Sequence, residues 1–201
     1  MAAGIHYKDN SFEVERELYS VKTGYRMIGG FNPTENTMSV YKGVVLPTLC
    51  PIIIDTKAHT FEVVSNIKVL EEAAAGATSV KIAKKSIAKV GEGYAVEGKT
   101  DTGLVITAID ASNDEYDLLT VDALAKKISA GVLVKATVSG DSTKTYKAGA
   151  GANALLYTRT KMEEGCSITA LGQAYEIKED ELYVPVSTAD KTALTSRFMF
   201  V

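Results

Sequence analysis

Apolar and polar residues alternate with a period of two along much of the chain after residue 40. Residues 132–138 show the pattern clearly, because small or β-branched side chains occupy every second position: Val132, Val134, Ala136 and Val138. Successive side chains of a strand point to opposite faces, so this alternation is typical of β-strands. The sequence therefore predicts a mainly β protein.

Three β-rich runs lie close together near the end of the chain, at residues 155–157, 167–177 and 182–186, with a polar turn at 163–165. They predict a three-stranded meander. A meander has one face to bury and needs a second layer. Residues 37–70 are rich in β-branched and large apolar side chains and predict the strands of that layer, with Pro47 and Pro51 marking edges or kinks.

A second group of strands is predicted between these two segments. Residues 77–138 alternate in short pieces with glycines at the corners, which is typical of a small barrel or sandwich. The predicted organisation is a discontinuous outer β domain, sandwich-like or barrel-like, formed by residues 37–70 and 153–201, with residues 77–138 as an inserted β domain. Residues 139–152, rich in Gly, Ser, Thr and Ala, predict a flexible linker.

The last fifteen residues predict a short C-terminal helix followed by a packed end. Ser187 and Asp190 have the spacing of a capping box, and the helix is expected to continue to Arg197. Residues 198–201 are apolar throughout, so we expect the C-terminus to pack against the outer domain.

Residues 1–36 show no sustained period and carry widely spaced aromatic residues: Tyr7, Phe12, Tyr19, Tyr25 and Phe31. They predict an extended N-terminal arm that becomes ordered on another surface. The alternative is a loosely attached terminus without a partner. In either case, removal of residues 1–36 is expected to leave a folded β protein.

Composition and charge argue against two classes of partner. A net charge of -3 without a concentrated cationic face disfavours nucleic acid. No apolar run approaches the roughly 20 residues of a spanning helix, and the N-terminus lacks a signal-peptide pattern. We therefore expect neither nucleic acid nor membrane as a partner, and no export through the secretory route.

Residue types used in catalysis and metal binding are sparse. The two histidines, His6 and His59, are far apart in the sequence, which disfavours a histidine-based triad or metal site. Cys50 and Cys166 lack metal-ligand spacing and favour two free thiols, with a long-range disulfide as the alternative.

Two loops have superficial similarity to ligand-binding motifs. Residues 110–121 place oxygens like a calcium loop but carry Glu115 and Val121 where Gly and Glu are required. A polar turn between two strands explains them better. Residues 140–145 lack the glycine before Lys144 that a phosphate loop requires. The sequence predicts no catalytic, cofactor or metal site, and favours a protein that acts through its surfaces.

Several segments together carry a resemblance to a known family: the strand end at 44–47 with the strands at 51–55 and 62–64, the insert segments 106–110 and 113–117, and the returning segments 154–157, 169–172, 189–191 and 198–201. In the order of these parts, over roughly residues 37–201, the chain resembles the head fibre and head decoration proteins of tailed bacteriophages.

The resemblance implies a structural virion protein on the outside of the capsid, made in the bacterial cytoplasm and bound to the major capsid protein, commonly as a homotrimer. It implies an N-terminal arm along the capsid lattice, and no enzymatic activity or cofactor. The first alternative is a virion-surface adhesin that binds a host glycan. The second is a small hydrolase with an acidic pair in a cleft.

Overall fold

The computed structural model describes residues 18–140 and 143–201. Tyr7 and Phe12, and the rest of the arm prediction before residue 18, lie outside the described residues. The protein is mainly β with a short C-terminal helix, as the alternation and the Ser187–Asp190 spacing predicted. Its strands form two units, which we call the sheet unit (residues 18–66 and 149–201) and the barrel (residues 67–148).

The sheet unit contains a seven-stranded sheet and a separate two-stranded ladder. The strands of the sheet are β1 Tyr25–Arg26, β2 Asn32–Pro33, β4 Pro51–Asp55, β5 Thr60–Val63, β13 Ala154–Leu156, β15 Ala170–Ile177 and β16 Phe198–Phe200. Their order is β1-β15-β13-β4-β5-β2, and β16 runs parallel to β15. The ladder pairs β3 Val45–Leu46 with β14 Thr160–Lys161.

Both faces of this sheet are buried. Leu155 and Leu156 are neighbours in β13 and point to opposite faces, and each belongs to a different apolar core. Helix α1 (Glu35–Tyr41) contributes Tyr41 to one core, and helix α2 (Thr188–Leu194) contributes Leu194 to the other. Short 3-10 turns lie at Val21–Thr23, Glu179–Glu181 and Thr195–Arg197.

The barrel is a closed ring of six strands with a seventh attached. Its strands are β6 Ile67–Val69, β7 Ser79–Ala83, β8 Gly93–Val96, β9 Gly103–Asp110, β10 Tyr116–Val121, β11 Gly131–Ser139 and β12 Thr145–Ala148. The order is β12-β11-β6-β7-β10-β9-β8, and pairing of β8 with β11 closes the ring. An apolar core that includes Ile82, Leu104 and Leu119 fills it.

The predicted N-terminal arm is wrong for residues 18–36, because they are part of the sheet unit. Met27 N donates to Ala170 O (2.9 Å), and Asn32 N donates to His59 O (2.9 Å), so residues 25–34 bridge the two edges of the sheet. Phe31 is 1% exposed in the core. β1 and β2 have two residues each and are separated by glycines with positive φ, so the sequence shows no period.

Residues 35–41 form α1, although residues 37–41 were predicted as part of a strand region and residues 35–36 as part of the arm. The Thr34 side chain accepts a hydrogen bond from Thr37 N (3.3 Å), which caps the helix, and Tyr41 is buried at its last residue. Two β-branched or aromatic residues, Val40 and Tyr41, favoured the strand prediction. The N-cap and the core position of Tyr41 outweigh that local preference.

The predicted meander is correct for two of its three strands. β13 and β15 are antiparallel neighbours, whereas residues 182–186 form no strand. Val184 and Val186 are buried without strand pairing. β16 pairs with the end of β15 instead, where β13 has already ended. The apolar pattern of residues 182–186 therefore reflects the burial of their side chains and not the pairing of a strand.

The barrel is larger than the predicted insert of residues 77–138. β6 lies in the predicted outer domain and β12 in the predicted flexible linker, yet both pair with β11. Tyr146 of β12 is buried outside the ring against Gly103, where a Cβ would lie 2.7 Å from the ring of Tyr146. Because the residues around Tyr146 are small and polar, the sequence did not predict this strand.

Several finer predictions are confirmed. Ser187 and Asp190 form a capping box at the start of α2, and Phe198 is buried near the C-terminus. Residues 111–115 connect β9 to β10 as a turn. Both cysteines are free, with Cys50 buried and Cys166 half-buried. Burial raises the pKa of the Cys50 thiol, so this thiol stays protonated.

We expect Phe31→Ala to lower the free energy of unfolding by about 3–5 kcal/mol, because the substitution leaves a cavity in the core. Phe31 belongs to residues 25–34, the segment that joins the two edges of the seven-stranded sheet. Chemical denaturation measures the change. Ile28→Ala is the control, since Ile28 is 91% exposed and its replacement is expected to stay within about 0.5 kcal/mol of the native value. Equal stability of the two variants would contradict the role of residues 25–34 in joining the two edges of the sheet.

Deletion of residues 1–17 is expected to leave the fold intact, whereas deletion of residues 1–36 is expected to abolish it. The longer deletion removes Phe31, Tyr19 and the segment that bridges the sheet edges. Far-ultraviolet circular dichroism and thermal unfolding distinguish the two. A cooperative transition in the longer deletion would show that the bridge is dispensable.

Candidate functional site

Buried and half-buried polar side chains gather where the barrel meets the sheet unit. We call Glu92, Tyr94 and Lys135 of the barrel the socket, and Tyr41 of α1 enters it. Tyr41 donates its hydroxyl to Glu92 Oε1 (3.0 Å), and Lys135 Nζ donates to the same oxygen (2.7 Å) and to Tyr41 Oη (2.8 Å). The site is therefore built by both units.

The backbone around the socket fixes each of its members. Glu92 lies in the loop between β7 and β8, where its Oε2 accepts from Lys89 N (2.9 Å). Tyr94 follows in β8 with its ring in the barrel core and donates to the same Oε2 (2.7 Å). Its hydroxyl also lies 3.3 Å from Ser65 Oγ, at the point where the chain enters the barrel.

The electrostatics of the socket favour a fixed set of hydrogen bonds over proton transfer. Burial, followed by the Glu92 carboxylate, raises the pKa of both Tyr41 and Tyr94, so both phenols stay neutral donors near pH 7. The Lys135 ammonium lies 4.9 Å from the ring centroid of Tyr41 and adds a cation–π contact. Four donors thus converge on one carboxylate whose side chain is 9% exposed.

A second buried carboxylate, that of Asp190, binds the two segments in which the chain crosses between the sheet unit and the barrel. Asp190 of α2 accepts from Asn66 Nδ2 (2.6 Å) on the way into the barrel and from Ala152 N (2.7 Å) on the way back. It also accepts from Ser187 N (2.9 Å) and Ser187 Oγ (2.7 Å). Asp190 and Asn66 are each 1% exposed. One carboxylate therefore ties both crossings to the C-terminal helix.

Further barrel residues also contact the sheet unit. Ile87, from the loop before β8, is buried in the core that contains Tyr41. Glu97 accepts from Thr188 N (3.2 Å) and Ala189 N (2.5 Å) in the first turn of α2. The contact between the units thus combines apolar burial with directed hydrogen bonds.

Residue 18 and the C-terminus both lie beside residues 178–179. Lys178 N donates to Leu18 O (3.0 Å) and Glu179 N donates to Val201 O (3.1 Å), so both ends of the described chain flank one short segment. The two end segments expose large apolar side chains: Val21 (60%) in the turn that follows Leu18, and Met199 (46%) and Val201 (67%) at the C-terminus. We call Leu18 with these three residues the terminal face.

The structure separates the aromatic residues that the sequence grouped as one contact arm. Tyr19 and Phe31 are buried in different cores, so they are not available to a partner. Tyr25 in β1 is 59% exposed. Tyr7 and Phe12 lie outside the described residues. Exposed Met199 and Val201 were not predicted as contact residues, because the apolar C-terminus was expected to be packed throughout.

The socket was also missed from the sequence, because its members lie far apart in the chain. Tyr41 and Glu92 are 51 residues apart, and Glu92 and Lys135 are 43 apart. Their only local signal is Glu92 between Gly91 and Gly93, which is typical of an exposed turn. No spacing rule connects residues that three separate elements bring together.

Two shallow clefts lie elsewhere on the surface. One, of about 540 Å³, lies between α1 and the turn at residues 164–166 and includes Met38 and Cys166. The other, of about 420 Å³, lies at residues 98–102 and Lys126. Within residues 18–140 and 143–201, no group of three or more His, Cys, Asp or Glu side chains is placed to hold a metal ion.

None of the helices in the described part of the chain has both the length and the apolar character needed to span a membrane.

We expect Asp190→Ala to lower the free energy of unfolding by about 3–5 kcal/mol, because it leaves several buried donors without an acceptor. Urea denaturation gives the difference. Asp180→Ala is the control, since the Asp180 side chain is 98% exposed and its single ion pair with Lys68 is expected to contribute less than about 1 kcal/mol. Similar losses in both variants would remove the special role assigned to Asp190.

Comparison of the chain with protein-family models, with curated proteins and with solved structures found no match in any of the three.

Proposed function

We propose that this chain is a structural protein of a tailed-phage head, bound to the outside of the capsid as a head fibre or decoration protein. Its resemblance to those proteins supports the proposal, and so does the way the molecule uses its polar groups. The buried carboxylates of Glu92 and Asp190 join parts of the chain to each other. In this role the protein works through contact area and catalyses no reaction.

The observation that carries the proposal is the terminal face. Val21 lies three residues after Leu18, where residues 1–17 join the described chain, and Met199 and Val201 lie in the C-terminal segment. All three expose apolar side chains. Exposed apolar side chains of this size are typical of contact surfaces when they cluster. We propose that the terminal face and residues 1–17, with Tyr7 and Phe12, contact the major capsid protein. This replaces the contact role first assigned to Tyr19 and Phe31.

The proposed partner also includes the chain itself. A homotrimer follows from the resemblance, and light scattering at micromolar concentration measures it. Three times the chain mass is the expected result. A monomer under those conditions would contradict the trimer.

We expect Val21→Ser combined with Met199→Ser to weaken capsid binding at least about tenfold, since each substitution removes apolar area from the contact, and tenfold corresponds to about 1.4 kcal/mol. Co-sedimentation with phage heads assembled without the protein measures the affinity. Deletion of residues 1–17 is expected to weaken binding further.

The control is Val90→Ser combined with Leu70→Ser. Val90 is 60% exposed and Leu70 is 44% exposed, which matches Val21 and Met199, but these residues lie in the barrel unit. The control is expected to bind like the native protein. Native affinity in the terminal-face variant, or an equal loss in the control, would refute the assigned surface. Failure of the native protein to bind heads would refute the function itself.

Glycan binding on the virion surface stays an alternative prediction, and no contact in the structure favours it over capsid attachment. A saturable signal on a glycan array would support it.

A further inference from the structure

We infer that residues 13–17 of one copy add as a strand to the open edge of β16 in a neighbouring copy, and that three copies joined in this way close a ring. This contact deepens the proposed function and rests on its homotrimer, for which it supplies the interface. Tyr7 and Phe12 precede the segment and stay available to the capsid.

The outer edge of β16 has unpaired backbone groups. β16 pairs with β15 on one side and with no described residue on the other. Val201 N donates to Ile177 O (2.8 Å), and Glu179 N donates to Val201 O (3.1 Å), so Val201 directs both of its groups to the β15 side. Alternate residues of a strand direct theirs to opposite sides, so the backbone N–H and C=O of Phe200 face outward.

This edge is apolar throughout. Strand edges are usually protected by charged residues, proline, a bulge or short length, and β16 has only its short length. Met199 (46% exposed) and Val201 (67% exposed) point to one face of the sheet. Phe198 points to the other face and is buried in a core. A strand that covers this edge is expected to place an apolar side chain beside Met199 or Val201.

Residues 13–17 have the pattern of such a strand. Residues 1–36 as a whole show no sustained period, but this segment alternates. In an extended conformation Val14 and Arg16 lie on one face, and three glutamates lie on the other: Glu13, Glu15 and Glu17. Val14 beside Met199 or Val201 enlarges the apolar surface of the terminal face, and the glutamates then lie on the face of Phe198.

Arg197 offers a cation on that face. Its guanidinium carbon lies 5.7 Å from the ring centroid of Phe198. It donates to Gly172 O (3.3 Å), Asn153 O (3.1 Å) and Thr195 Oγ1 (3.3 Å), and no described carboxylate pairs with it. Glu176 of β15 is an exposed acid near β16, whereas the acids of residues 179–181 each have a lysine partner: Lys191, Lys68 and Lys178. A glutamate of the added strand therefore gains a charged hydrogen-bond donor in Arg197.

Residues 13–17 are too close to their own Leu18 to reach β16 of the same chain. Lys178 N donates to Leu18 O (3.0 Å) and Glu179 N donates to Val201 O, so Leu18 and β16 lie on opposite sides of residues 178–179. The outer edge of β16 is therefore three strand spacings from Leu18, about 14 Å. About four residues are needed to span that distance, which leaves too few to pair. The contact between copies is heterologous, and its repetition by rotation closes a ring.

The first test blocks the added strand in the full chain. Glu15→Pro removes a backbone N–H from the segment, so we expect the dissociation constant of the trimer to rise at least about tenfold. Asn10→Pro is the control, because it makes the same change outside residues 13–17, and it is expected to keep the native value. Analytical ultracentrifugation measures both constants, and circular dichroism of both variants is expected to match the native protein.

The second test shows which chains are joined. Chains with Val14→Cys are mixed with chains that carry Met199→Cys, all in a Cys166→Ser background, and treated with a short bismaleimide. We expect cross-links between the two kinds of chain. Cys50 is buried and does not react. In the control, Val90→Cys replaces Met199→Cys, since Val90 is 60% exposed and lies in the barrel.

Three results would overturn the added strand: a trimer of native affinity in Glu15→Pro, equal cross-linking of the Val90→Cys control, or a native protein that is monomeric. Co-sedimentation with phage heads separates these results from the proposed function. Monomers that bind heads overturn the added strand and leave capsid attachment standing. A trimer that needs residues 13–17 but binds no heads supports the added strand and refutes capsid attachment.

Discussion

The arrangement of the molecule depends on one buried carboxylate, Asp190. A chain that leaves a sheet to build a barrel and then returns must order two crossing segments, and each ordered residue costs conformational entropy. Asp190 accepts from Asn66 and Ala152 on those segments and also completes the capping box with Ser187. Helix formation, entry into the barrel and return from it are therefore coupled through a single side chain.

Burial of such a group is costly unless its hydrogen bonds are made, and the carboxylates of Glu92 and Asp190 meet that condition. Glu92 accepts from two phenols, one ammonium and one backbone amide. An apolar contact of the same area would stabilise the junction at least as well. The polar arrangement adds direction, since only one placement of the barrel satisfies all donors together. The protein thus uses apolar cores for stability and two carboxylates for geometry.

The sequence predicted those features whose signal is local. Alternation identified most strands, and the Ser187–Asp190 spacing identified the C-terminal helix with its cap. The N-terminal segment was misassigned because strands of two residues carry no period, and the evenly spaced aromatics look alike whether buried, as Phe31 is, or exposed, as Tyr25 is. β12 was missed because Tyr146 is a single anchor in a stretch of small and polar residues.

The candidate site could not be predicted from local sequence patterns for a different reason. Tyr41, Glu92 and Lys135 come from a helix, a loop and a strand, and only the closed barrel brings the latter two together. The terminal face is similar, because Leu18 and Val201 are far apart in the chain and meet only through residues 178 and 179.

That meeting of the chain ends has a topological consequence. Consecutive amides of an extended segment point to opposite sides, so the backbones of Leu18 and Val201 lie about 10 Å apart, two strand spacings across residues 178–179. A linker of about four residues spans this gap. In a chain from which residues 1–17 are removed, Leu18 and Val201 can therefore be joined covalently and the chain reopened in the β9–β10 turn, giving a circularly permuted protein with the same hydrogen-bonded sheets.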